Sequence, residues 1–230
     1  MEGKSEDKMC WLGHAGFRFS IHDKEGKKHT LYIDPWFQNP KIPESEKEPK
    51  ECDVVLVTHG HFDHITGAKD ILKAQPKAKA VCIFEVGGYL KKNGATGEQV
   101  IEMNKGGTLD LGWVKVIMTE AIHSGSCPGE ENCFVPGGSA AGFVIQFNGY
   151  SIYHAGDTNV FTDMGIIDEL YKPQVSLLPI GGHFTMAPKE AAYALKKFLP
   201  HTKFCHPIHF KTFIPPLSGD IPELKIELAK

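Results

Sequence analysis

Thr58-His59-Gly60-His61-Phe62-Asp63-His64 follows directly on the run Asp53–Thr58, DVVLVT. A short, continuous apolar run of this kind suits a strand buried on both faces. Three histidines and one aspartate then fall within six positions at its C-terminal end. Polar groups in such a place need partners or solvent. Imidazole nitrogen and carboxylate oxygen are ligands of a borderline metal such as Zn²⁺. His59 and His61, on alternate positions, can converge on one ion, and Asp63 and His64, further on, can face a second.

Moving outward, the chain repeats the pattern. His123 follows the strand-like run Val114–Thr119, Asp157 follows Tyr150–His154, and His209 follows Lys203–Pro207. The C-terminal ends of strands are where α/β proteins assemble sites from distant segments. Three further residues carry weaker signals. His183, in Gly181-Gly182-His183-Phe184 after the strand Val175–Pro179, is placed either to protonate a leaving group or to serve as an ordinary loop histidine. His14 follows the first strand and is either a site residue or an interior support. Asp34, before Pro35, reads as a carboxylate orienting a ligand histidine, with a turn-forming aspartate as the plain alternative. His154 and His206 belong to their strands, whereas His22, His29 and His201 sit in polar contexts and read as solvated. Trp11, Trp36 and Phe37 suit the core, with a pocket wall as the alternative.

Strands are expected at Met9–Leu12, Phe17–Ile21, Thr30–Ile33, Lys79–Phe84, Thr108–Asp110 and Ala141–Phe147, besides those already named. Asn148-Gly149 joins Ala141–Phe147 to Tyr150–His154 as a two-residue hairpin turn. Helices are expected at Ala68–Ala74, Glu85–Asn93 and Ala187–Leu199, the last opened by Pro188 and stopped by Pro200. The Gly/Pro/Cys-rich segment before Ala141 reads as a loop. This order predicts a single α/β domain over residues 1–230, a four-layered α/β/β/α sandwich of two similar halves. No GxGxxG leads from a strand into a helix, against a dinucleotide-binding fold.

Composition narrows the function. The formal net charge of −3 argues against a protein that grips nucleic acid through its phosphates. No apolar run nears the roughly 20 residues needed to span a bilayer, and the polar start MEGKSEDKMC lacks a signal-peptide core. A cytoplasmic chain is therefore expected, with a small-molecule substrate. Assembly into a homo-oligomer is compatible with this composition. The six cysteines show no CxxC spacing and read as thiols.

The HxHxDH motif with its separated His, Asp and His resembles the metallo-β-lactamase-fold hydrolase superfamily, a likeness running from Met9 to about Phe213. The texts LGHAGF, LYIDPW, VTHGHFDHITGA, GGSAAGFVIQFNGYSIYHAGDT, PIGGHFTMAP and PIHFKTF resemble the UPF0173 type of metal-dependent hydrolase, itself similar to ascorbate-6-phosphate lactonases. The resemblance implies a binuclear site: His59, His61 and His123 on one metal, Asp63, His64 and His209 on the other, and Asp157 bridging both with a hydroxide. Zn²⁺ suits five histidines and two aspartates best, with Mn²⁺ or Fe as alternatives. Histidine at position 61, where flavodiiron relatives carry glutamate, favours hydrolysis. Asp63, Asp157 and His183 are the expected catalytic residues. The expected activity is hydrolysis of a small ester, lactone or phosphoester. The alternatives are a phosphodiesterase acting on nucleic acid or a phospholipid headgroup, and a non-catalytic metal-binding or scaffold protein.

Overall fold

Alternation along Ala141–Phe147 sends Phe143 and Ile145 into one apolar cluster and Val144 into another. The strands beside it divide in the same way: Val116, Met118, Ile152 and Leu177 face the first cluster, Ile117, Tyr153 and Leu178 the second. Such a sheet is buried on both faces and needs a layer on each. The computed structural model, which describes residues 6–131, 133–213 and 215–230, shows what those layers are.

The first half comprises β1 (Lys8–Trp11), β2 (Phe17–His22), β3 (Lys28–Ile33), β4 (Val54–Val57), α1 (Phe62–Ala74), β5 (Lys79–Ile83), α2 (Phe84–Lys92) and β6 (Val100–Met103). Its strands form one sheet in sequential order, antiparallel from β1 to β3 and parallel from β3 to β6. The second half comprises β7 (Thr108–Asp110), β8 (Lys115–Glu120), β9 (Ser126–Pro128), β10 (Phe134–Pro136), β11 (Ala141–Phe147), β12 (Tyr150–His154), α3 (Met164–Tyr171), β13 (Val175–Pro179), α4 (Pro188–Lys197), β14 (Phe204–Ile208) and α5 (Ile221–Ala229). Its sheet runs β14-β13-β12-β11-β8-β7, with β12, β13 and β14 parallel. Antiparallel strands followed by parallel ones recur in both halves.

Phe17, Phe19, Leu31 and Ile33 of the first sheet share the large cluster with Phe143 and Ile145 of the second, and none is exposed. Each such side chain contributes about 1.5–3 kcal/mol on burial. Helices α1 and α2 pack on β4, β5 and β6. Met164 and Ile167 of α3 and Ala194 of α4 cover the far face of the second sheet. This is the α/β/β/α sandwich that the order of elements predicts. Among the described residues no helix is long and apolar enough to cross a membrane.

Local differences have identifiable causes. Helix α1 begins at Phe62, six residues before the expected Ala68, because tertiary packing carries the helix through Thr66 and Gly67. A Cβ on Gly67 would lie 2.1 Å from the Pro35 carbonyl oxygen, so only glycine lets α1 pass there. Strand β6 and helices α3 and α5 were not expected. Ile166 and Leu170 of α3 and Ile226 and Leu228 of α5 are exposed, which blurs the amphipathic signal. The segment read as a loop contains the two-stranded hairpin β9–β10. His29, read as solvated, is buried, stacked on Trp113 and 3.1 Å from Asp23.

Candidate metal centre

The parallel strands β3, β4, β12 and β14 deliver Asp34, His59, Asp157 and His209 to one rim, each at or just past the strand's last residue. Two backbone features allow the close approach. A Cβ on Gly60 would stand 2.3 Å from the Cys127 sulfur, so glycine between His59 and His61 admits β9 against this loop. Gly156, at φ +63°, makes the turn that presents Asp157, and a Cβ there would meet the Ala141 oxygen at 2.7 Å. Asp63 lies in the first turn of α1, where the helix N-terminus favours a carboxylate.

Asp34 organises the rim from beneath. The Thr58 amide donates to its Oδ1 at 2.9 Å, and the Thr58 hydroxyl donates to its Oδ2 at 2.6 Å. His64 Nδ1–H donates to the same Oδ2 at 2.7 Å. Thr58 has then spent its only hydroxyl proton, so His59 Nδ1–H must donate to Thr58 Oγ1, 2.9 Å away. Both imidazoles are thereby turned so that Nε2 faces the rim's interior, as in a histidine set up by an outer carboxylate to bind a metal. Asp34 thus plays the orienting part read from the sequence, and Thr58, which carried no separate signal, extends it to His59.

The remaining groups converge on two points. The donor atoms of His59, His61, His123 and Asp157 all lie within 4.8 Å of one another, and so do those of His14, Asp63, His64 and His209. Asp157 Oδ2 stands between the groups, 2.9 Å from His209, 3.4 Å from His64, 3.6 Å from His123 and 4.0 Å from His59. His64 Nε2 and Asp157 Oδ1 are buried without a hydrogen-bond partner, a costly state for polar atoms that a bound cation would relieve. Six imidazoles and two carboxylates, His14 among them as the partner of Asp63, form a donor set of the right type for divalent cations, so the residues fit a metal centre.

Charge balance supports that fit. Burial opposes ionisation of Asp157, but the imidazoles of His209 and His64 outweigh it and hold the carboxyl well below the ordinary range. Burial likewise opposes a charge on His64, yet Asp157, Asp34 and Asp63 push its pKa well above the usual value. His209 is raised to about 9 against its own burial, chiefly by Asp157. In the chain by itself, protons on His64 and His209 thus balance the buried carboxylates, a task that metal cations perform equally well.

His14 is the residue whose place only the structure resolves. Burial drives its pKa down to about 4, so it is neutral and carries one N–H. Its Nε2 lies 2.9 Å from Asp63 Oδ2 and its Nδ1 lies 2.9 Å from Thr212 Oγ1. A carboxylate accepts only, so Nε2–H donates to Asp63 and Nδ1 accepts from the Thr212 hydroxyl. His14 therefore steers Asp63. Thr212 had no signal in the sequence. His183 is exposed, at φ +56°, with its ring 4.5 Å from that of Phe184. It does not line the cavity of about 430 Å³ above the site, whereas Phe184 does. His154 donates to the Ala15 carbonyl, and His206 packs against Trp11 and Phe17. A wider groove of about 570 Å³, beside Asp23, Trp113 and Tyr150, lies at the opposite ends of β8 and β12.

Residues 29–210 match the family described as the beta-lactamase superfamily domain. The chain is similar to a UPF0173 metal-dependent hydrolase of Koribacter versatilis, 48% identical over 95% of this chain and 90% of that protein. A UPF0173 metal-dependent hydrolase of Methanosarcina barkeri is 44% identical over 90% of this chain and 84% of its own length. Among solved structures, the metallo hydrolase Igni18 of the hyperthermophilic archaeon Ignicoccus hospitalis superposes with a TM-score of 0.79. It is 34% identical, covering 97% of this chain and 90% of that one.

Proposed function

The chain belongs to the beta-lactamase superfamily domain family and, within it, to the UPF0173 metal-dependent hydrolases, and on that premise we propose that it is a binuclear enzyme acting on a small ester, lactone or phosphoester. His59, His61 and His123 would hold one ion, Asp63, His64 and His209 the other, and Asp157 would be shared. Zn²⁺ is the ion that this donor set suits best. The observation that carries the reading is the Asp157 carboxylate, whose one oxygen lies within 4.0 Å of imidazoles from both groups. Ligands drawn from both sheets also support reading residues 1–230 as one domain.

When bound, two divalent cations supply Lewis acidity and water activated near neutral pH. The chain's own residues supply the geometry. Asp34 and Thr58 hold the imidazoles of His64 and His59 in their ligating tautomers, and His14 holds Asp63. Asp157 keeps negative charge between the two groups of ligands. His183, exposed beside the cavity-lining Phe184, would pass a proton to the departing group after its side chain turned inward.

The test is metal analysis after loading with Zn²⁺ or Mn²⁺, paired with turnover of ester, lactone and phosphodiester substrates before and after chelation. Two ions per chain and chelator-sensitive turnover are expected. Single occupancy at saturation would overturn the binuclear centre. Two ions with no turnover would favour a non-catalytic metal-binding protein.

A further inference from the structure

We propose that the site acts on carboxylic esters or lactones whose acyl body is uncharged and apolar, and that it discriminates against bodies carrying a phosphate or a free carboxylate. This rests on the hydrolase reading above and adds the substrate class. Hydrolysis would consume one water and break the acyl C–O bond, releasing an acid and an alcohol from an ester and a single hydroxy acid from a lactone.

The cavity of about 430 Å³ is two-sided in chemistry. Its polar floor is made largely of the candidate metal ligands. Its walls are mainly aromatic, with Pro128, Ser124 and Ser126 between, and the rings come from four separate segments: Phe62 opening α1, Phe134 opening β10, Phe184 after β13, and Phe213 after β14. No Lys or Arg is found among the described residues that line it. Among the described residues its acidic groups are Asp63 and Asp157, both assigned to the metals.

Basic side chains on neighbouring segments are engaged elsewhere. Lys211 pairs with Asp220 at 2.9 Å, and Lys41 donates to the Phe210 carbonyl while lying over its ring. The N-terminus of α1 carries Asp63 in its first turn, which offsets the positive end that would attract an anion. Recognition of a phosphate-bearing body relies chiefly on cationic groups; among the described residues the walls hold none, and the neutral hydroxyls of Ser124 and Ser126 are the donors they offer in their place.

The aromatic walls have the opposite preference. Phe62, Phe134 and Phe184 are 50%, 73% and 55% exposed. Large apolar side chains exposed together around a polar floor mark a place where apolar matter is bound. Part of the wall is preformed. The Trp36 ring meets Phe62 edge-on at 5.6 Å and lies 5.4 Å from Phe213, so these rings are set before substrate arrives.

Nitrophenyl esters of the zinc-loaded protein's candidate substrates provide the test. Each buried methylene is worth about fourfold in binding, so kcat/KM should rise by about 10²-fold from butanoate to octanoate. The hydrogen suberate ester, of equal length but ending in a carboxylate, should fall at least about 30-fold below octanoate, because its charge meets an apolar wall. Phe134→Ser and Phe184→Ser, checked for metal content and folding, should each shrink the octanoate-to-butanoate ratio. A second readout needs no catalysis: nonan-2-one, uncharged and unreactive, should bind saturably by tryptophan fluorescence, and the double variant should lose that binding. Metal-dependent hydrolysis with suberate as good as octanoate, or with bis(nitrophenyl) phosphate preferred, would overturn the apolar-body proposal and leave the hydrolase standing. Ketone binding that depends on the phenylalanines, without metal-dependent turnover of any ester, would sustain the apolar recognition and overturn the hydrolase reading.

Discussion

Asp34→Asn exchanges one oxygen for an amide nitrogen and almost nothing else, which makes it a sharp probe of the rim. Asp34 sits at φ +43°, a conformation that asparagine tolerates as well as aspartate, so backbone strain does not confound the result. The aspartate accepts three hydrogen bonds, from the Thr58 amide, the Thr58 hydroxyl and His64 Nδ1–H. Asparagine has one acceptor oxygen. With that oxygen toward the Thr58 amide, the new NH₂ faces His64 Nδ1–H, and the clash is relieved only if His64 gives up that proton and keeps one on Nε2. That proton covers the lone pair a metal needs. With the amide flipped, a buried NH₂ opposes the Thr58 N–H instead. One orientation leaves a buried donor unsatisfied, at about 1–3 kcal/mol, the other forces His64 out of its ligating tautomer, and in both the charge-assisted bonds to a carboxylate are lost. A destabilisation of about 2–4 kcal/mol is expected in urea titrations run with chelator. Metal affinity should fall about 10–100-fold in competition against a chromophoric chelator. Wild-type metal affinity together with stability within about 0.5 kcal/mol of wild type would refute the assignment of Asp34 as the residue that sets the His64 tautomer.

Asp157→Ala removes the carboxylate placed between the two ligand groups, so metal analysis should show loss of at least one ion. Its effect on turnover should exceed the about 10–100-fold typical of outer-shell changes; full activity with both ions retained would show Asp157 to be misassigned. His183→Ala should keep its metal content and lower kcat by about 10²-fold for esters with poor leaving groups. The loss should shrink for nitrophenyl esters, and an unchanged kcat on both would remove His183 from the chemistry. Away from the site, the Arg18 guanidinium holds buried Glu46 below the ordinary glutamate range, against its burial, with Lys50 adding to the effect. A depressed folded-state pKa gives stability above the unfolded value of 4.5 that is lost as pH falls through the folded one. Glu46→Gln should therefore cost about 1.5–3 kcal/mol near pH 7, and the gap to wild type should narrow in denaturation curves taken below pH 4.5; a constant gap would contradict the charged hydrogen bond.

Much of the molecule is written in local pattern. Val54–Val57 is apolar throughout and lies buried on both faces, and Ala141–Phe147 alternates between two cores, so each strand announces itself within a few residues. Helices α3 and α5 do not, because each leaves apolar side chains in solvent, and α1 starts early because its first turns are held by contacts with the Pro35 segment. The same division holds at the rim. The candidate ligands are legible as His and Asp residues in the segments that follow strands, Asp63 and His64 in the first turn of the helix after β4, since both the residue type and the preceding strand are local properties.

By itself, then, the amino-acid order determined most of the strands, the sandwich and the kinds of donor atom offered to a metal. Tertiary structure alone decided how those donors are grouped and oriented. Asp157 stands between both ligand groups, Asp34 reaches His64 across 30 residues, and His14 meets Thr212 across 198. It also decided that four phenylalanines from separate segments wall the cavity above the site and that no cation joins them among the described residues. The reason is physical. Periodicity and hydrophobicity act over one or two turns of chain, whereas a tautomer, a shared carboxylate or a pocket wall depends on distances of a few ångströms between segments that only packing brings together.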